Sequence, residues 1–364
     1  MPSSVPRHLL AMVALVAYAR GLAGNGHRLV EAFQPRGTPR FAGSRSRSRH
    51  RQSTILTRSA TVADAVDLQY NEFPPPADSN KPAVIFLHGL LGNKRNFASL
   101  ATSLSTQLQS PRTIYTLDLR NHGENTHDWR DECMSYTDMS HDVLAFMDRK
   151  SIDSAVLVGH SMGGKVAQSC ALAHPDRIAG LVVLDIAPVR YYSDAKNEQS
   201  GSAWRAVEAI VRSVSKVDVS AFSNKREVDR HFLEHGILED AALRAFVLTN
   251  LDQPRAAKGE EAPPMKWKIN WNGIVNELNS IAGFDAAGCV LDESASDSEH
   301  SHRYDGDTFY ISGGASRFVQ TSYIPQIQRL FPNHLLTTIR GAGHWVHAEA
   351  PEETIRLLKT YLDR

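Results

Sequence analysis

One short segment, GHSMGG at residues 159–164, constrains the fold of this chain more than any other part of its sequence. An apolar run, SAVLV, precedes it at residues 154–158, and a helical pattern follows it at residues 165–174. A strand, a tight turn rich in small residues and a helix are typical of a sheet covered by helices. The pattern G-x-S-x-G at such a turn exposes the Ser161 hydroxyl and points the Met162 amide toward the same place. The sequence therefore predicts Ser161 as a nucleophile and the Met162 N–H as an oxyanion donor, against the alternative of an incidental serine in a glycine-bearing turn.

The chain beyond about residue 62 alternates between predicted strands and predicted helices. Short apolar runs predict strands, and stretches in which apolar residues recur every three or four positions predict helices. This alternation indicates a mostly parallel sheet with helices on both faces, so the predicted fold class is α/β. The predicted strands cover residues 83–87, 113–117, 154–158, 180–184, 308–311 and 335–339, and the predicted helices cover residues 97–107, 136–147, 165–174, 323–330 and 352–362.

The alternation breaks at about residues 189–283, where amphipathic helical stretches follow one another with no strand between them. These stretches, at residues 204–215, 225–234 and 240–248, predict a helical lid inserted into the sheet domain. A polar run at about residues 291–306 follows the lid and is predicted to be a disordered acidic loop. Because a flexible loop gives its histidines and carboxylates no fixed geometry, the sequence predicts no metal site there.

The first 60 residues differ in composition from the rest of the chain. They contain ten arginines, no lysine and one acidic residue, a net charge of +9, whereas the whole chain has a formal net charge of +0. An apolar run at residues 9–19 precedes an Arg- and Ser-rich stretch that is poor in acids, which is typical of organellar targeting. We predict that residues 1–60 are a presequence, removed or disordered in the mature protein, with a mitochondrial or plastid destination. The alternative is a basic tail that carries no address.

Charge and cysteine usage exclude several classes of partner. The chain after residue 60 carries a net charge of −9, which argues against binding to the phosphate backbone of a nucleic acid. The scattered spacing of Cys133, Cys170 and Cys289 indicates neither a disulfide framework nor a zinc site. No stretch reaches the roughly 20 apolar residues that a membrane-spanning helix requires. The expected partner is therefore a small molecule.

The expected general base for Ser161 comes late in the chain. In one common order of a serine triad on a parallel sheet, the acid and then the base follow the nucleophile. The segment GAGHW at residues 341–345 comes just after the predicted strand 335–339, where two glycines let a loop carry an imidazole over the sheet edge. His344 is therefore predicted to take the Ser161 proton and to return it to the leaving group. His347, three residues further on, is the alternative base.

The acid of the triad is less evident in the sequence. Many enzymes of this type have the acidic residue directly after the strand that corresponds to residues 308–311. In this chain that strand is followed by SGGASRF, which contains no carboxylate. Asp185 instead comes directly after the predicted strand 180–184, which is the strand that follows the nucleophile's own. We predict that Asp185 orients His344 through Nδ1 and stabilises the imidazolium. Asp118 is the next candidate, and the structural alternative is that Asp185 caps a turn.

The second oxyanion donor is predicted in another turn of small residues. The segment HGLLG at residues 88–92 follows the first predicted strand and reaches the carboxyl edge of the sheet. Its Leu90 N–H is expected to lie beside the Met162 N–H and to share the developing negative charge. His88 precedes the serine in the chain and is predicted to be structural rather than catalytic.

Together these motifs resemble the α/β-hydrolase superfamily. Within it the chain is similar to small serine esterases that comprise a mitochondrial α/β-hydrolase-domain protein of animals and fungi and bacterial short-chain acyl esterases. We therefore predict an α/β-hydrolase domain over residues 62–364, and the resemblance implies a catalytic aspartate placed as Asp185 is. The matching motifs are HGLLG at 88–92 with NKRNF at 93–97, DLRNHG at 118–123, GHSMGGK at 159–165, DIAP at 185–188, FVLTNL at 246–251 and GH at 343–344.

The resemblance also implies a reaction. The predicted function is hydrolysis of carboxylic esters or thioesters of modest acyl length, under a helical lid and without a cofactor, through an acyl-Ser161 intermediate. The substrate would be a small-molecule acyl ester or thioester. The alternative, from a different functional class, is a catalytically silent protein that holds a ligand in the lidded pocket.

Overall fold

The computed structural model describes residues 65–76, 79–191, 198–253, 263–284 and 303–364. The predicted presequence at residues 1–60 lies outside the described residues, as does most of the predicted acidic loop. The last four residues of that loop are described, and they include a buried Tyr304 whose hydroxyl donates to the Ile178 carbonyl at 2.9 Å. The chain is therefore packed against the sheet domain before the next strand begins.

The main sheet has seven strands: β1 (Tyr70–Phe73), β2 (Ala83–Leu87), β3 (Ile114–Leu117), β4 (Ala155–His160), β5 (Ile178–Leu184), β8 (Thr308–Gly313) and β9 (His334–Ile339), and β6 (Leu251–Asp252) and β7 (Lys266–Trp267) form a separate pair. The strands of the main sheet follow the order β1-β3-β2-β4-β5-β8-β9. Neighbouring strands in it are parallel, except that β1 pairs antiparallel with β3 at one edge. The prediction of an α/β fold with a mostly parallel sheet is confirmed, and the carboxyl ends of the parallel strands meet at one edge.

Helices cover the sheet and continue over its carboxyl edge. Alternate residues of β2 enter two separate apolar cores, because both faces of a mostly parallel sheet are buried: Ile85 and Leu87 pack in one core, and Val84 and Phe86 pack in the other. The described helices are α1 (Ala98–Gln107), α2 (Tyr136–Arg149), α3 (Met162–Ala173), α4 (Glu198–Val214), α5 (Lys225–Glu234), α6 (Ala241–Leu248), α7 (Trp271–Asn276), α8 (Leu278–Ala282), α9 (Ile324–Leu330), α10 (Val346–Glu349) and α11 (Pro351–Leu362).

A mainly helical segment connects β5 to β8, in the region where the sequence predicts a lid. It contains α4 to α8, and α5 has the same bounds as the helix predicted there. No strand lies between the three predicted helical stretches, and β6 and β7 form a short antiparallel pair after the last of them. These strands have two residues each, which is too short to produce an alternating pattern in the sequence. We call the described part of this segment the lid.

Two further elements differ from the sequence-based expectations. The edge strand β1 was not predicted, since its residues YNEF are half buried or exposed and show no apolar run. The helix after the serine begins at Met162 instead of residue 165. Gly163 and Gly164 have low helix propensity, but the close packing of this turn overrides it.

Candidate active site

The turn that carries Ser161 joins β4 to α3 and is tightly constrained. Ser161 has φ 53° and ψ −121°, a conformation that residues with a side chain rarely adopt. A Cβ at position 159 would lie 2.2 Å from the Gly163 carbonyl oxygen, and a Cβ at position 163 would lie 2.3 Å from the Leu87 carbonyl oxygen. Glycine is therefore required at both positions, and the packing around them holds the serine in its strained conformation.

Three side chains form one hydrogen-bonded chain at the carboxyl edge of the sheet. His344 Nε2 lies 2.9 Å from Ser161 Oγ, and His344 Nδ1 lies 2.7 Å from Asp185 Oδ2. Because the carboxylate favours the proton on Nδ1, Nε2 is left to accept the serine hydroxyl proton. The structure thus brings together the residues that the sequence analysis selected as nucleophile, base and acid.

The carboxylate of Asp185 is buried and is held by more than the histidine. Its side chain is buried, and its backbone has φ 51°, a positive value that non-glycine residues rarely adopt. Oδ1 accepts the Gly313 N–H at 2.9 Å, and Oδ2 accepts the Ser316 hydroxyl. Ser316 lies after β8, in the place where the sequence analysis found no carboxylate, so the loop at this position supplies a donor to the acid instead of the acid itself.

The alternative acid and base lie elsewhere. Asp118 is buried and accepts three hydrogen bonds, from the Lys94 ammonium at 2.6 Å, the Lys94 N–H at 2.6 Å and the Glu124 N–H at 2.8 Å. His347 is buried with its ring centroid 4.6 Å from that of His160. Neither side chain is in the hydrogen-bonded chain of Ser161, and the contacts of both are those of structural groups.

The two predicted oxyanion donors belong to adjacent turns. A Cβ at position 89 would lie 3.1 Å from Ser161 Cβ, so the turn after β2 approaches the nucleophile closely. Leu90 and Met162 both line the cavity that contains Ser161. Met162 is the first residue of α3, and its N–H therefore has no acceptor within the helix. The structure thus brings the turns that carry both predicted donors beside Ser161.

Two buried histidines hold the turn after β2 in place. His88 Nε2 accepts the Leu119 N–H at 2.9 Å, and its Nδ1 lies 2.8 Å from the Gly89 carbonyl oxygen. His122 Nε2 accepts the Leu91 N–H at 3.2 Å. The contacts of His88 are those of a structural residue that positions the Leu90 amide, and none of them is with Ser161.

A cavity of about 80 Å³ opens over Ser161 between the sheet domain and the lid. Phe318 stacks on the His344 ring with centroids 4.0 Å apart, which limits the freedom of the imidazole. The walls are mainly apolar, as expected for a site that binds an acyl chain. Its apolar lining residues are Leu90, Leu91, Tyr136, Met162, Ile186, Tyr191, Trp204, Val207, Ile210, Leu243, Phe246, Ile281, Phe318 and Trp345.

Two polar side chains anchor the lid to the site. Lys165, four residues after Ser161, is buried and donates to the carbonyl oxygens of Ala282, at 3.1 Å, and of Gly283, where the lid returns to the sheet domain. Asn250 of the lid donates to the Leu91 carbonyl oxygen at 2.8 Å. The sequence motifs contain both residues, but their roles depend on contacts between segments that are distant in the sequence.

Burial keeps four histidines neutral. Loss of hydration lowers the pKa of His88 to about 4 and the pKa of both His122 and His347 to about 3. Burial lowers the pKa of His160 as well, and the nearby His347 and His344 add to this effect. In the unfolded chain these groups return to their ordinary pKa of 6.5. Between about pH 4 and pH 6.5 the unfolded state therefore binds more protons than the folded state, and stability rises with pH in this range.

We expect acidification to destabilise the protein through these histidines. Each buried neutral histidine contributes a slope of about 1.4 kcal/mol per pH unit to the free energy of unfolding below about pH 6.5. Glutamine cannot be protonated in this range. His347→Gln should therefore reduce the pH slope of the unfolding free energy by about 1.4 kcal/mol per pH unit. Urea unfolding of the wild type and variant at several pH values measures it.

The exposed His127 provides the control for this experiment, because its side chain is not part of the buried interior. His127→Gln should leave the pH slope of the unfolding free energy as it is in the wild type. Equal slopes in the wild type and His347→Gln would contradict a neutral buried histidine at position 347.

The described ranges contain neither a candidate metal cluster nor a membrane-spanning helix. In these ranges, no group of three or more His, Cys, Asp or Glu side chains is arranged to hold a metal ion. Within the same ranges no helix combines the length and apolar character needed to cross a membrane.

Comparison with known proteins places these features in a family. A family model described as alpha/beta hydrolase fold matches residues 82–351. The solved structure of a marine microorganism esterase superposes with a TM-score of 0.67 at 26% sequence identity, covering 82% of this chain and 100% of that one. The match extends over the sheet domain and the lid.

Curated relatives share a large part of the sequence. The sn-1-specific diacylglycerol lipase ABHD11 of Danio rerio is 33% identical over 307 residues, 84% of this chain and 85% of the relative. Esterase YbfF of Escherichia coli is 30% identical over 285 residues, 78% of this chain and 94% of the relative. These matches confirm the resemblance that the motifs predicted.

Proposed function

The chain belongs to the α/β-hydrolase family and is a carboxylic ester hydrolase, and from this premise we propose that it cleaves esters or thioesters of modest acyl length through an acyl-Ser161 intermediate. The observation that carries the proposal is the hydrogen-bonded chain from Ser161 through His344 to Asp185, at 2.9 and 2.7 Å, beneath a largely apolar cavity. A weak nucleophile, a neutral base and a buried acid are the groups that acyl transfer requires.

In the proposed first step, Ser161 Oγ attacks the substrate carbonyl carbon while His344 Nε2 takes the hydroxyl proton. The carbonyl oxygen becomes negative and is stabilised by the N–H groups of Leu90 and Met162. The Asp185 carboxylate stabilises the imidazolium that forms, through Nδ1, without itself taking the proton. Loss of one oxyanion donor typically lowers the rate by about two to three orders of magnitude.

In the second half of the reaction, His344 gives its proton to the departing alcohol or thiol, and the bond between the carbonyl carbon and the leaving group breaks. A water molecule then attacks the acyl-serine carbonyl while His344 takes one of its protons. Collapse of the second tetrahedral intermediate releases the carboxylic acid, and the proton returns to Ser161 Oγ. The cycle consumes one water and requires no cofactor.

The apolar walls of the cavity support selection by the acyl chain. Each methylene that moves from water into an apolar site contributes about 0.8 kcal/mol, or about a fourfold gain in kcat/KM. The gain should continue with chain length until the cavity is full and then reverse. Val207 and Ile210 of α4 lie on the cavity wall and limit the length that fits.

We expect Val207→Phe to shift the preferred acyl length toward shorter chains, because the larger ring fills part of the cavity. A series of p-nitrophenyl esters of increasing acyl length, with kcat/KM measured for each, gives the optimum for the wild type and the variant. We expect a loss of about tenfold for the longest good substrate, since an overpacked pocket rejects added methylenes.

Ala209→Phe is the matched control, because Ala209 lies on the same helix but is exposed. Its chain-length profile should follow that of the wild type. A profile that is flat and negligible for the wild type would instead favour the alternative of a ligand-binding protein without catalysis. An unchanged optimum in Val207→Phe would contradict this location of the acyl chain.

A further inference from the structure

A second, polar pocket lies next to the cavity of Ser161, with Phe246 in the walls of both. It is formed between the sheet domain, which contributes Lys94 and Arg95, and the lid, which contributes Lys225 and Lys268. We call it the cationic pocket, since four basic side chains line it together with two carboxylates, Asp118 and Glu124. Its volume is about 450 Å³, so a charged group can enter it.

Both carboxylates of the cationic pocket already have cationic or N–H partners. Asp118 binds the Lys94 ammonium at 2.6 Å and accepts two backbone N–H groups as well. Glu124 lies 2.8 Å from Lys94 Nζ, 3.0 Å from Arg95 and 3.9 Å from Lys268 Nζ. The hydrogen bond from Lys94 and the charges of Lys94, Lys268 and Arg95 lower the pKa of Glu124. One carboxylate thus faces three cations, and an excess of positive charge remains.

Lys225 carries part of this excess. Its side chain is half buried, and its ammonium donates to the Leu248 carbonyl oxygen at 3.1 Å. Among the described residues no carboxylate lies within ion-pair distance of it. Burial lowers the pKa of Lys225, and repulsion from Lys268 and Arg95 lowers it further, whereas Asp252 acts in the opposite direction. An anion in the cationic pocket would relieve this repulsion and accept hydrogen bonds from the ammonium.

The cationic pocket is adjacent to the reaction centre. A small cavity beside it is lined by Gly89, Leu90 and Trp345, which also line the cavity of Ser161. The same small cavity is lined by Asn96 and His347, which also line the cationic pocket. The three spaces therefore follow one another along the turn after β2, starting beside the predicted oxyanion donor Leu90. The acyl chain is proposed to occupy the apolar cavity, so the other half of the substrate is the part that can extend this way.

We propose that the cationic pocket binds a phosphate group on the alcohol or thiol half of the substrate. This inference rests on the proposed ester hydrolysis and adds a substrate class to it. The four cations and two carboxylates that line the pocket leave an excess of two positive charges, and Asp252, 3.8 Å from Lys268 Nζ, offsets part of it. A phosphate monoester carries about −1.5 to −2 near neutral pH and has the sign of charge that this excess attracts. The phosphate bridges Lys94 and Arg95 of the sheet domain to Lys225 and Lys268 of the lid.

Two matched pairs of substrates test the proposal. One pair is a butyryl ester of glycerol and the same ester of glycerol phosphate, and the other is butyryl pantetheine and butyryl phosphopantetheine. Each pair has one scissile bond in common and differs by a phosphate, which lies near that bond in the first pair and far from it in the second. The measured quantity is the ratio of kcat/KM for the phosphorylated and unphosphorylated members. A ratio well above one in either pair supports the proposal. A preference in the glycerol pair indicates a phospholipid-like substrate, and a preference in the pantetheine pair indicates a phosphopantetheine-like substrate.

Variants of the full-length protein connect the preference to the cationic pocket. We expect Lys225→Ala and Lys268→Ala each to lower the phosphorylated-to-unphosphorylated ratio by about tenfold, since each removes one charge-assisted hydrogen bond. Lys216→Ala is the matched control, because Lys216 is an exposed lid lysine outside the pocket. A ratio of one or less in both pairs, or a preference that survives both pocket substitutions, would overturn the proposal.

The unphosphorylated substrates separate the two proposals. If the wild type cleaves neither of them nor any p-nitrophenyl ester, the proposed hydrolysis fails. In that case, calorimetry of glycerol phosphate binding to the wild type and to Lys225→Ala still tests whether the cationic pocket binds phosphate. Binding that is weakened about tenfold by Lys225→Ala supports a phosphate site, and binding that is absent or equal in both proteins refutes it.

Discussion

We expect Ser161→Ala to lower kcat for a p-nitrophenyl ester by about a million-fold, the scale found when the nucleophile of a serine triad is removed from other enzymes. The hydroxyl oxygen forms the acyl bond in the proposed mechanism, and a methyl group cannot replace it. His344→Ala should have an effect of similar size, because the two residues act as one unit and their losses do not add. Steady-state rates for the two single variants and for the double variant measure this.

A fluorophosphonate probe gives a second measurement that does not depend on the choice of substrate. The probe reacts with an activated serine, so the wild type should be labelled at Ser161 and the His344→Ala variant should be labelled far more slowly. Ser213→Ala, which removes an exposed serine of the lid, should be labelled as the wild type is. Labelling that persists in Ser161→Ala, or that is equally fast without His344, would contradict the proposed mechanism.

Asp185→Asn is expected to lower kcat by about ten-thousand-fold with little change in the fold. An asparagine can turn its NH₂ group toward His344 Nδ1, which then becomes an acceptor and moves the ring proton to Nε2. The imidazole would then present an N–H to Ser161 Oγ and could not accept its proton. Rates together with thermal unfolding of the variant separate loss of the base from loss of structure.

Asp118→Asn is the informative comparison, since Asp118 was the other candidate acid. Its side chain pairs with Lys94 in a buried ion pair, with both side chains at most 6% exposed. Its substitution should lower the free energy of unfolding by about 3 kcal/mol, because the buried Lys94 ammonium loses its buried partner and keeps only the more exposed Glu124. The opposite pattern, a stable inactive Asp118→Asn and an active Asp185→Asn, would transfer the role of the acid to Asp118.

Ser316→Ala should have a smaller effect than Asp185→Asn. The hydroxyl donates to the carboxylate oxygen that also contacts His344, but Gly313 N–H continues to hold the other oxygen. Loss of one hydrogen bond to a charged group corresponds to about a tenfold loss of kcat. If Ser316 positions the acid, Ser316→Ala should lower kcat less than Asp185→Asn does.

Much of the fold could be read from local patterns. The strand, turn and helix around Ser161 appear in the sequence because apolar alternation and glycines act over a few residues. The lid helix α5 was predicted with the bounds that it has, since ten residues of amphipathic pattern are enough to define it. The short β6–β7 pair and the edge strand β1 were missed, because their stability comes from partners distant in the sequence instead of from their own composition.

The residues proposed to act in catalysis were also identified from chain order and from the resemblance. Ser316 was not, because a serine after β8 has no local feature that distinguishes it from any other loop serine. Its contact with Asp185 spans 131 positions of the sequence. The cationic pocket is a similar case, since Lys225 lies in a helix whose pattern indicates a solvated face, and its charged neighbours come from three other segments.

The sequence by itself determined the fold class, the nucleophile turn and the order of the residues proposed as the triad, because these depend on residue types at short spacing. Tertiary structure decided which carboxylate faces His344, what holds that carboxylate, and how charge is distributed beside the oxyanion turn. Hydrogen bonds of about 2.9 Å and ion pairs depend on distances across the sheet edge, which no local pattern encodes. Asp118 and Asp185 each follow a strand in the sequence, and the packing of Lys94 against one and His344 against the other separates their roles.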